Sequence, residues 1–113
     1  CQHELLGQLE SAALEPLLRH GVMRERFAAE VTDSARARLL ALCGYDVQLV
    51  ELFALEHSPK NVLLRATKLQ SPRSARDTAA LANTYARFVD SLSVDPMLGR
   101  LLADLVPPAS VAR

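Results

Sequence analysis

Three groups of residues in this 113-residue chain have types that do chemistry. The first is Cys1-Gln2-His3-Glu4 at the start of the sequence, and the second is Glu56-His57-Ser58-Pro59-Lys60-Asn61. The third is a concentration of arginines, Arg19, Arg24, Arg26, Arg36 and Arg38, offset within its segment only by Glu25, Glu30 and Asp33. Cys1, His3, Cys43 and His57 are metal ligands by type, but no Cys-x-x-Cys or His-x-x-x-His spacing supports a centre, so no metal is expected. The arginines could steer a polyanion toward a site. The alternative is a solvated helix face, and Arg24 and Arg26 cannot share one side of a helix. The 56–61 segment reads as a polar turn. Either His57, Lys60 and Asn61 meet a substrate there, or Pro59 fixes the turn while Ser58 and Asn61 bond their own backbone.

These groups sit in a balanced chain: 13 basic against 13 acidic residues, half the residues apolar, four glycines and six prolines. That composition describes one ordered domain with a core, and a neutral total excludes binding of nucleic acid through a whole-molecule basic field. No apolar run approaches the roughly 20 residues of a membrane-spanning helix. Two cysteines make no disulfide framework, so a reducing, cytoplasmic setting is expected. The sequence runs from Cys1 straight into Leu5, Leu6 and Leu9, and residue 1 is expected to be a cut point inside a longer protein.

The elements that must position the three groups follow from periodicity. Leucines recurring every three or four positions predict helix over 3–20, broken near Pro16, with Gly21 as its cap. Met23, Phe27 and Val31 predict a helix over 22–31. Thr32 or Asp33 would cap a third, over 33–43, ended by Gly44. The β-branched and aromatic runs at 45–55 and 61–68 read as strands. Val47, Leu49 and Phe53 would line one face and Val50, Leu52 and Ala54 the other, predicting burial on both sides. Arg65 is expected to pair with Glu51, and Cys43 to be a small buried apolar residue. Ser74 with Asp77 is a capping signature for a helix over 74–92 with a seam of Leu81, Tyr85, Phe88 and Leu92. Asp95-Pro96 would open a last helix, 96–105, on Leu98, Leu101, Leu102 and Leu105. Two strands wanting cover on both faces make an awkward independent sheet, so the missing strands are expected upstream.

Two stretches resemble a known family. Cys1-Gln2-His3-Glu4-Leu5 resembles the end of a Pro-Cys-Cys-Gln-His-Glu-Leu signature of class I S-adenosylmethionine-dependent methyltransferases related to tRNA 2′-O-methyltransferases and methyltransferase-like proteins. Gly44-Tyr45, Val50-Glu51-Leu52-Phe53 and the run from Glu56 to Ala66 resemble the same family's Glu-His-Thr-Pro-Lys-Asn block, with Ser58 in place of the usual threonine. Arg19-His20-Gly21, Arg24-Glu25-Arg26 and Thr32-Asp33 also fit. The resemblance covers residues 1–68, and no motif is placed in the helical extension 69–113. It implies an α/β fold: the C-terminal part of a doubly wound, Rossmann-like sheet, of which this chain holds helices, the antiparallel sixth and seventh strands, and two C-terminal helices. The site of such a sheet lies beyond the carboxyl ends of its parallel strands, so residues 1–3 and the 56–61 turn should converge.

On that resemblance Cys1, Gln2, His3, His57, Lys60 and Asn61 are the substrate-binding candidates. Lys60 would meet a phosphate if the substrate is RNA, and the five arginines form a candidate RNA-contacting patch. For Cys1 and His3 the alternative is capping the first helix. No catalytic residue is assigned. S-adenosylmethionine is implied for the full-length parent but not for this fragment, because Gly7, Gly21, Gly44 and Gly99 are scattered and form no Gly-x-Gly-x-x-Gly. The expected partners are RNA, the missing N-terminal half, and a second copy through an open sheet edge, with no membrane. The rival reading is a non-catalytic helical interaction module.

Overall fold

Helix α3 (Gly21–Leu42) is the spine of the chain, 22 residues long and so about 33 Å at 1.5 Å per residue. The computed structural model describes residues 2–52 and 61–106. Around α3 stand α1 (Gln2–Leu6), α2 (Glu15–Leu18), the strands β1 (Tyr45–Leu52) and β2 (Asn61–Lys68), α4 (Ala75–Leu92) and α5 (Met97–Leu101), and every one of them packs against it.

A single apolar stripe explains why α3 is central. Ala28, Val31, Ala35, Leu39 and Leu42 recur at three- and four-residue steps and are all buried. The stripe continues without a phase change through Thr32 and Asp33, where the sequence predicted a break between two helices. Instead of capping, the buried Thr32 hydroxyl donates to Ala28 O four residues back at 2.7 Å, which satisfies it inside a continuous helix. Asp33 lies near Arg36, at 3.9 Å. Gly21, expected as a C-cap, is instead the first residue of α3, with His20 in the extended cap position. The helix ends as predicted at Gly44, whose φ of 97° lies where a side chain would be strained.

The predicted 3–20 helix is two short pieces. Residues 7–14 form turns and an extended link, which lets Leu9 reach the core while Glu10 N–H donates to Leu92 O at 3.0 Å. Leu5, Leu9, Leu18, Ala28, Val31, Leu92 and Val94 make up the main core cluster, flanked by Phe27, Phe88 and Val89. Fully burying each leucine there contributes about 1.5–3 kcal/mol. The Leu81–Leu92 seam of α4 faces inward as expected, and Ser74 Oγ accepts from Asp77 N–H at 3.1 Å to start that helix. Helix α5 is shorter than predicted and begins after Pro96, which itself holds the cap position. Leu101 and Leu105 are 72% and 65% exposed, so the predicted seam of that helix is not a buried one.

The strands pair antiparallel from Tyr45↔Lys68 to Leu52↔Asn61 as a two-stranded sheet. Strand β2 has its predicted bounds. Residues 53–55, the predicted end of the first strand, lie outside the described residues. Among the described residues the expected two-sided burial is not found. Leu49 and Val62 on one face and Val50 and Leu63 on the other are 36–49% exposed, because α3 reaches the hairpin mainly through β1 and nothing described covers the rest.

Candidate functional site

The hairpin and α1 carry the described part of the site suggested by the sequence. Asn61 opens β2 opposite Leu52, at the far end of the ladder from the helix junction. Gln2 and His3 lie on α1, which packs on α3. Cys1, His57 and Lys60 fall outside the described residues, and so does the expected convergence of residues 1–3 with the 56–61 turn. Along the ladder, Arg65 stands opposite Gln48 and donates to its Oε1 at 2.7 Å. The expected partner, Glu51, faces Val62 on the other side of the sheet: residues one step out of phase along a strand point to opposite faces.

The five arginines divide by environment. Arg24 is half-buried, and its guanidinium donates to three backbone carbonyls: Leu6 O at 3.1 Å, Leu9 O at 2.6 Å and Leu18 O at 3.3 Å. These are carbonyls that two very short helices and their link leave unbonded, so the fork geometry of Arg is used structurally. Arg38 donates to Leu81 O at 3.2 Å and to the Thr84 hydroxyl, tying α3 to α4. Arg19 pairs with Glu15 at 2.8 Å. Arg19, Arg26 and Arg36 are the exposed members of the group. Sequence reasoning missed Arg73, which donates to Ala41 O at 2.6 Å and Tyr45 O at 2.9 Å and so pins the link after β2 to the junction of α3 and β1. It also missed Glu4 and Gln8. Glu4 Oε1 accepts from Met97 N–H, and Gln8 Oε1 accepts from Asp95 N–H at 2.7 Å. No sequence signal links positions more than 80 residues apart, so these contacts could not be read in advance.

A groove of about 220 Å³ opens between α1, α3 and α5, floored by Leu5, Ala35, Leu39 and Leu98, with Glu4 and Arg36 among its polar lining. With Glu4 engaged by Met97 N–H, it presents no paired acid and base. Cys43 is half-buried at the end of α3, and burial pushes its thiol pKa up, which disfavours the nucleophilic thiolate. Burial and the Asp95 charge likewise raise Tyr85. Among the described residues no three His, Cys, Asp or Glu side chains gather as a metal site requires, and no helix is long and apolar enough to cross a membrane.

The described architecture is therefore mixed α/β, a helical body with one antiparallel strand pair. No family model matches the chain, and no curated protein or solved structure does either.

Proposed function

We propose that this chain is the substrate-side, C-terminal portion of a class I methyltransferase acting on RNA in the cytoplasm, with β1 and β2 as the last two strands of a larger Rossmann-like sheet. The observation that carries the reading is the hairpin with apolar residues half-exposed on both faces. Leu49 and Val62 on one side and Val50 and Leu63 on the other suit strands sandwiched between helical layers. The motif resemblance at residues 1–5 and 44–66 supplies the class. Cys1, Gln2, His3, His57, Lys60 and Asn61 would meet the methyl acceptor, and exposed Arg26 and Arg36 would favour its phosphates.

The residues present do not fit S-adenosylmethionine. Gly21 and Gly99 lie within helices, Gly44 ends one and Gly7 stands alone in the turn after α1, so the Gly-rich loop that cradles such a nucleoside has no counterpart here. This chain's share is positioning of the acceptor, and positioning is a large part of what transfer between two bound reactants requires. The rival, a non-catalytic interaction module, has the same exposed hairpin in its favour, since a long uncovered strand edge invites pairing with a partner or a second copy.

Calorimetric titration with S-adenosylmethionine separates the two. The 113-residue chain should not bind it, while the full-length protein should bind it and transfer methyl groups to RNA. Tight binding by the 113-residue chain, or none by the full-length protein, would overturn the proposal.

A further inference from the structure

Residues 4–10 are gripped from two directions. Leu5 and Leu9 are each 2% exposed. From the α3 side, Arg24 donates to the carbonyls of Leu6 and Leu9. From the far end of the chain, Asp95 N–H and Met97 N–H donate to Gln8 and Glu4, and Glu10 N–H donates to Leu92 O. Helix α1 has only five residues, far too few to hold a helix or an orientation by itself. Its direction is set from outside, by these contacts.

We infer that Gln8, Glu4 and Arg24 are positioning residues that fix α1, and with it Gln2 and His3, against α3 and the α4–α5 junction. The inference rests on the reading above, that Gln2 and His3 face the methyl acceptor. It gives the motif-free extension a role: the 92–97 junction is the abutment for the N-terminal segment. The Gln8 and Glu4 bonds lie at exposed positions, where water can replace a lost acceptor and a hydrogen bond adds little to stability. Their effect is on where α1 stands. Arg24 differs, because it also satisfies half-buried carbonyls.

The test uses the full-length protein, an in vitro transcribed RNA pool, and three variants: Gln8→Ala, Gln8→Glu and Glu4→Ala. Positioning predicts that Gln8→Ala and Glu4→Ala each lower kcat/KM for methyl transfer by roughly tenfold or more, since small misplacements are costly in transfer reactions. The melting temperature and the affinity for S-adenosylmethionine should stay near those of the parent. Gln8→Glu keeps the acceptor and should restore transfer. Wild-type transfer in both alanine variants would overturn the inference while leaving the functional reading intact. Failure of the wild-type protein to bind S-adenosylmethionine would overturn the functional reading, and this role with it.

Discussion

The helical body and the hairpin use the same apolar residue types to opposite ends. In the body, Leu5, Leu39, Ala28 and Val31 are 0–2% exposed, while in the hairpin Leu49, Val50, Val62 and Leu63 are 36–49% exposed. Residue choice does not separate the two regions; the availability of a partner does. Around α3 the helices α1, α2 and α4 each bring buried apolar side chains to a shared core. The hairpin has two apolar sides, and among the described residues α3 is the main helix that reaches it. Local pairing is complete there, with a continuous eight-residue register, yet an isolated strand pair is marginal without cover.

Truncations should draw this contrast most sharply. Leu39→Ala should cost about 2–5 kcal/mol in urea unfolding, because it opens a cavity in a packed region. Leu63→Ala should cost under about 1 kcal/mol, since much of that side chain already meets water. Equal losses would erase the difference between the regions. Arg24→Ala should come next, at about 2 kcal/mol, because three half-buried carbonyls lose a charged donor. Arg24→Lys should recover only part of it, as one ammonium cannot copy the fork. Ser74→Ala removes the side-chain cap of α4 and should cost about 1 kcal/mol. The smallest effect expected is a gain. Ser93 closes α4 at φ 58°, and Ser93→Gly should stabilise by about 0.5 kcal/mol by relieving a left-handed conformation. Thermal melts resolve both of the last two.

The same contrast explains what was legible in the sequence. Ser74 and Asp77, the stop at Gly44 and the bounds of β2 are local signals, and each is found where its residues predict it. Thr32-Asp33 looked like a helix start because a hydroxyl before an apolar run commonly caps. The tertiary stripe through Val31, Ala35 and Leu39 outweighs that local preference, and Thr32 bonds backward instead. Pro96 took the cap that Asp95 was expected to hold, and Arg65 found Gln48 because register, unlike composition, needs the turn. Of the candidate site, Gln2, His3 and Asn61 are placed on α1 and β2. The clasp formed by Glu4 and Gln8 was invisible, because its partners are peptide N–H groups at the other end of the chain.

Amide hydrogen exchange on the 113-residue chain tests the central claim most directly. An uncovered hairpin predicts that amides of Val47–Glu51 and Val62–Ala66 exchange through local opening, well before those of Val31–Leu39 and Ala82–Phe88. Hairpin amides that exchange only with global unfolding, as slowly as the centre of α3, would mean the strand pair is complete in itself, and the case for a larger sheet would fall.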